Sequence, residues 1–155
     1  MDVGLIVLDH RLLSEEPLPD ATLAVMELPL SADQRTVLRG RRRTACGRDV
    51  LLQLPRERAL TPGDRLTDSH RQVHVLVTAA PEELLRVEAA TPLALLEAAY
   101  HLGNRHVALE LHEHELLLLN DSVLAAMLNG RELKLTRCCG PFRPDGGAYN
   151  THQHS

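Results

Sequence analysis

Apolar and polar positions alternate differently in the two halves of the chain. Up to about Val77 the apolar residues come in short runs broken by turn formers. Leu5–Leu8, Thr22–Leu28, Arg35–Leu38, Val50–Leu54 and Val73–Val77 read as strands. Pro17-Leu18-Pro19-Asp20, Pro55, Thr61-Pro62-Gly63-Asp64 and Asp68-Ser69 separate them. Many short strands with proline-rich turns predict a small β-barrel or sandwich over residues 1–77.

Thr78-Ala79-Ala80-Pro81-Glu82 reads as a linker, and beyond it the periodicity changes. Leu85, Val87 and Ala89 alternate with Arg86 and Glu88, as in a strand with one buried face. Thr91-Pro92 supplies an N-cap followed by proline at the first helical position. A helix then runs to about Leu102, with Leu95, Ala98, Ala99 and Leu102 on one stripe, and Gly103-Asn104 is expected to end it in the left-handed conformation. Val107, Leu109 and Leu111 predict an inward strand face, and Glu115–Leu119 a third strand. Asn120-Asp121 caps a second helix with Val123, Leu124, Met127 and Leu128 inward, Asn129-Gly130 ends it, and Leu133 and Leu135 mark a last strand. The order β-α-β-β-α-β is that of a ferredoxin-like fold over residues 78–144. Pro141–Ser155 reads as an extended end, and 145–155 as a short flexible tail. The class is therefore α+β.

Composition narrows the function. Apolar residues make up 44%, enough for one or two modest cores, so disorder throughout is excluded. The rings are Tyr100, Phe142 and Tyr149 alone, too few for stacking on bases or sugars. The formal net charge of −4 argues against nucleic acid as a partner. Arginine is nonetheless concentrated at Arg35, Arg39, Arg41, Arg42, Arg43 and Arg48, a run that suits an acidic surface or phosphate unless it is a solvated strand edge. Cys46, Cys138 and Cys139 are odd in number, and Met1–Leu8 lacks a basic leader. No apolar stretch has membrane-spanning length. These features predict reduced thiols in the cytoplasm and no membrane partner. Cys138 and Cys139 are adjacent, so on a strand one of them should be buried.

No catalytic motif is present. There is no phosphate-binding glycine loop and no Gly-x-Ser-x-Gly, and His112-Glu113-His114 spaces its histidines by two, unlike the zinc-protease helix. Nine histidines is the unusual count, and six lie at or after His101. His101 and His106 bracket a helix stop, a stiff and exposed corner of the kind a binding site needs. Imidazole suits nickel, copper and zinc. Two histidines are too few for a tight site, but a symmetric dimer would double them. Spacing alone favours a capping or core-edge role. His152 and His154, as His-Gln-His, would face one side of an extended tail and could chelate together, or be solvated. His112 and His114 sit at the expected hairpin turn between two strands, where a solvated role competes with weak metal binding.

The run Ala98-Ala99-Tyr100-His101-Leu102-Gly103-Asn104-Arg105-His106-Val107 resembles the signature of the UreE family of urease accessory nickel chaperones. Ala79-Ala80-Pro81-Glu82 with Leu84-Leu85, and Asp121, Leu124, Met127 and Leu128, are similar to it too. So are Gly140-Pro141-Phe142-Arg143-Pro144-Asp145 and Gly147-Ala148-Tyr149, with weaker echoes at Arg41–Arg43, Leu52-Gln53-Leu54-Pro55 and Pro62-Gly63-Asp64. The resemblance implies a partner-binding N-terminal β domain, a ferredoxin-like metal domain and a homodimer. It implies nickel held at the dimer axis by His106 of each subunit, helped by His101, His152 and His154. Zinc or copper would bind the same ligands in vitro. It implies no enzymatic activity, and the urease apoprotein complex and its accessory GTPase as partners. Family members with paired histidines before the second helix differ from this chain, which has Asn120 and Ser122 there. The alternatives are a non-metal adaptor of the maturation complex and, third, a histidine-metal hydrolase.

Overall fold

A computed structural model describes residues 4–12 and 25–146. The class is α+β, and the chain divides into two compact units between Ala79 and Ala80. In the first unit the strands are β1 (Ile6–Leu8), β2 (His10–Leu12), β3 (Val25–Leu30), β4 (Arg39–Arg43), β5 (Asp49–Gln53), β6 (Arg65–Thr67) and β7 (His74–Ala79). A single helical turn, α1 (Ala32–Arg35), joins β3 to β4. The strands form a three-stranded sheet, β1-β5-β4, and a four-stranded sheet, β2-β6-β7-β3. One core serves both: Leu8, Val50 and Leu52 from the first meet Leu28, Leu30, Leu66, Val75 and Val77 from the second. Each buried Leu or Val contributes roughly 1.5–3 kcal/mol relative to exposure. Among the described residues these sheets do not close into a barrel.

One expectation for this unit needs correction. Residues 22–24 and the Pro17–Asp20 turn lie outside the described residues. Arg35–Leu38 is not a strand, because Ser31 starts a helical turn there. Its hydroxyl accepts the Gln34 N–H at 3.1 Å, and the Gln34 side chain accepts the Ser31 N–H at 2.9 Å, a capping box. The strand follows instead at Arg39–Arg43, and β2 and β6 are further strands of three residues each.

The loop after β6 is organised by Asp68. Its carboxylate accepts N–H groups from Gln72 at 2.8 Å and Val73 at 3.2 Å. Burial pushes this acid up, but the Val73 and Gln72 donors outweigh it and hold the acid below its ordinary value. A depressed folded-state acid contributes stability that is present at neutral pH and lost as pH falls through the folded value. Asp68→Asn is therefore expected to be less stable than the parent at pH 7, with the gap closing below about pH 4. Urea melts at neutral and acid pH check this, and a gap independent of pH would contradict it.

The second unit contains β8 (Pro81–Ala89), α2 (Pro92–Asn104), β9 (Glu110–Leu111), β10 (Glu115–Leu119), α3 (Ser122–Leu128) and β11 (Leu133–Pro141). The sheet order is β11-β8-β10-β9, with every neighbouring pair antiparallel. Leu85 and Val87 of β8 and Leu116 and Leu118 of β10 pack against Leu95, Ala98 and Leu102 of α2 and Leu128 of α3. Thr91 caps α2 by accepting the Ala94 N–H at 3.1 Å. Asp121 caps α3 through the Val123 and Leu124 N–H groups.

Several boundaries shift. Thr78 and Ala79 complete β7, and Pro81 and Glu82 open β8, so little of the expected linker is loop. β9 has two residues, and Leu111 is exposed because β9 is the edge of the sheet. Val123 is exposed as well, on the outer side of α3. Cys138 is half-buried and Cys139 exposed, so neither is a core thiol; with Cys46 they are free. Pro141–Asp145 is not a free tail. Phe142 is fully buried. The Arg143 N–H donates to Glu110 Oε1 at 2.7 Å, the Leu111 N–H donates to Asp145 Oδ2 at 2.6 Å, and the Asp145 N–H donates to Leu109 O at 2.7 Å. Residues 147–155, with His152 and His154, lie outside the described residues.

Candidate metal centre

The end of α2 departs from the expected stop. Gly103 and Asn104 are its last two helical residues, and Arg105 is the C-cap. The left-handed residue is His106, at φ 58°. Two hydrogen bonds define the ending: the Val107 N–H donates to Leu102 O and the His106 N–H to Gly103 O. This is the Schellman arrangement, in which the position after the cap is usually glycine. Val107 sets the position of the stop, because it packs into the same core as Leu102. A non-glycine residue in this conformation costs roughly 1–2 kcal/mol. Such strain is retained where the surroundings enforce it, and it concentrates at functional positions.

His106 is exposed, and His101 is half-buried in the last turn of α2. The Tyr100 ring stands edge-on to the His101 ring, with centroids 5.6 Å apart. The corner thus presents one exposed imidazole and one half-buried imidazole beside an aromatic ring. Among the described residues no three His, Cys, Asp or Glu side chains gather as a metal-binding group.

α2 is apolar on two sides. Leu95, Ala98 and Leu102 face the core, while Leu93, Leu96 and Tyr100 are 64–67% exposed. At 100° per residue the two stripes lie on roughly opposite faces of the helix. A helix apolar all round is normally buried all round. The signal for the outer stripe is in the sequence, in the spacing of Leu93, Leu96 and Tyr100, where the inward stripe of Leu95, Ala98 and Leu102 masks it.

The other histidines of this unit lie at the β9–β10 turn. His112 Nε2 contacts Glu110 Oε2 at 2.5 Å, and the other Glu110 oxygen holds the Arg143 N–H. The pair thus joins the fastening of the 141–145 segment. His114 is 3.9 Å from Glu113, both almost fully exposed. A recess of ≈340 Å³ beside Val107 and Ala108 is lined by Leu119, Asn120, Asp121 and Leu124 and contains no histidine. Among the described residues no helix is long and apolar enough to cross a membrane.

Comparison with known proteins adds an independent line. Residues 82–155 match the family model described as UreE urease accessory protein, C-terminal domain. The chain is 86% identical over its full length, and the full length of the relative, to the urease accessory protein UreE of Synechococcus sp. strain CC9311. It is 60% identical, over 99% of both chains, to that of Parasynechococcus marenigrum strain WH8102. With the protein of the same name from Thermosynechococcus vestitus it shares 47% identity over 88% of this chain and 94% of the relative.

Proposed function

Because the chain belongs to the UreE family of urease accessory proteins, we propose that it carries nickel on histidines at a homodimer interface and delivers it for assembly of the urease active site. It is an accessory protein and not an enzyme. The observation that supports the nickel reading most is His106, an exposed imidazole held at φ 58° where glycine would be less strained. In this reading His106 of each subunit meets at the two-fold axis, and the outer stripe of α2 is what the second copy covers. His101, His152 and His154 supply further nitrogens. The second unit is ferredoxin-like and holds the metal, and the first binds partners in the urease maturation machinery, among them the accessory GTPase. The site of action is the cytoplasm. Nickel is the cargo, and zinc or copper would compete in vitro, because copper stands above nickel at nitrogen sites.

Nickel titration by calorimetry, run beside sedimentation, tests the proposal. The expected result is a dimer that takes up tightly bound nickel at a stoichiometry of one axial ion per pair of chains. A monomer in the presence of nickel, or no heat of binding, would leave the non-metal adaptor as the better reading.

The chain end supplies a second test. Deleting Asn150–Ser155 removes His152 and His154, so nickel binding should weaken while the dimer persists. Identical isotherms for the truncated and full chains would remove both histidines from the ligand set.

A further inference from the structure

β4 carries alternating burial. Arg39, Arg41 and Arg43 are exposed, whereas Gly40 and Arg42 are half-buried. In the antiparallel pairing with β5, Arg39 lies opposite Gln53, Arg41 opposite Leu51 and Arg43 opposite Asp49. β1 pairs on the far side of β5, with Val7 opposite Leu51. Residues directly opposite one another share a face. The solvent face of this three-stranded sheet is therefore a row of three arginines along one side and a half-buried apolar strip, Leu51 and Val7, beside it.

That row is left largely unneutralised by its own chain. Arg43 pairs with Asp49 at 3.2 Å, with both side chains more than half exposed, and such pairs are weak. Arg39 and Arg41 make no ion pair among the described residues. Arg48, in the β4–β5 turn, is exposed close to the same end. The chain as a whole carries a net charge of −4, so this is a local reversal of sign. Alternate residues on a strand repeat at about 7 Å, which is also the repeat of alternate carboxylates on an extended chain lying alongside. The side chains between those carboxylates point to the other side of such a chain, so the arginine row carries the contact.

We propose that this face is a docking surface for an extended acidic segment of a partner protein. The inference rests on the partner-binding role proposed for the first unit and gives that partner a chemistry. Nucleic acid fits less well, because the face has no aromatic ring for stacking.

The test uses the full chain and a fluorescently labelled peptide of alternating glutamate and valine, read by anisotropy. The wild type should bind it at about 50 mM salt and much less at about 300 mM. A variant with Arg39→Ala, Arg41→Ala and Arg43→Ala should bind at least about tenfold more weakly. These side chains are exposed, so the fold should survive, and circular dichroism checks that. A second variant with the same three positions changed to glutamate should lose the acidic peptide and gain a lysine–valine peptide, which a misfolded protein would not do. The proposal is overturned if the wild type ignores the acidic peptide or the alanine variant binds it equally. It is also overturned if single-stranded RNA binds more tightly than the peptide and is lost in the same variant. Nickel isotherms of these variants should match the wild type, so failure here is separable from failure of the metal reading.

Discussion

Replacing His106 with glycine is expected to make the protein more stable and to remove its tight nickel binding. On the proposed reading the two effects come from one residue with two roles. As the left-handed residue that ends α2, His106 carries a steric cost that glycine does not. Relief of that cost is partly offset by the greater freedom of glycine in the unfolded chain, leaving a gain of about 1 kcal/mol. As a ligand, His106 would be lost from both subunits at once. Removing groups that merely orient a ligand costs roughly 10–100-fold in affinity, so removing the ligand itself should cost at least about a hundredfold. His106→Ala separates the roles, since alanine keeps the strain and lacks the imidazole. It should lose nickel without gaining stability. Denaturant melts and nickel calorimetry on both variants give the two readings independently. If the glycine variant binds nickel as tightly as the parent, His106 is a helix-capping residue and nothing more.

The second large effect is expected at Leu96. This leucine sits midway along the exposed stripe of α2, between Leu93 and Tyr100. In a symmetric dimer each such position is buried twice, once per subunit. Losing the burial of a leucine costs about 1.5–3 kcal/mol, hence about 3–6 kcal/mol per dimer for Leu96→Glu. That corresponds to roughly a hundred- to ten-thousandfold weaker association. The monomer should remain folded, because its own core is on the opposite stripe, at Leu95, Ala98 and Leu102. Tight nickel should disappear along with the dimer. Sedimentation velocity and a thermal melt would decide: an unchanged dimer would place the interface elsewhere, and a monomer with undiminished nickel affinity would show that the ion needs one chain only.

How far the sequence was readable depended on the range of the physical signal. β10 at Glu115–Leu119 and the caps Thr91 and Asp121 carry short-range signals, and the structure has them where the sequence reading puts them. Ser31 and Gln34 carry one as well, the four-residue capping box, which the run of apolar residues at Val37 and Leu38 masks. β4 contains no apolar residue, so alternation cannot reveal it; its pairing with β5 forms it. The exchange of hydrogen bonds between residues 109–111 and 143–145 spans more than thirty positions and has no local trace. At the candidate site, the corner holding His101 and His106 was legible as a helix stop. Its left-handed residue was not, because glycine and asparagine at 103 and 104 are stronger local candidates. What overrides them is the packing of Val107 with Leu102, a tertiary contact.

The fastening of Arg143 and Asp145 onto Glu110 and the Leu109–Leu111 backbone acts as a mooring for everything that follows in the chain. From a fixed Asp145, covalent geometry confines the His152 backbone to a sphere of about 25 Å radius, and that of His154 to about 32 Å. The centre of that sphere is set by two carboxylates and its radius by the residue count. Lengthening the 146–151 stretch would widen that sphere without moving its centre. Substituting Asp145 would widen it as well, by moving the last side-chain fastening back to Arg143.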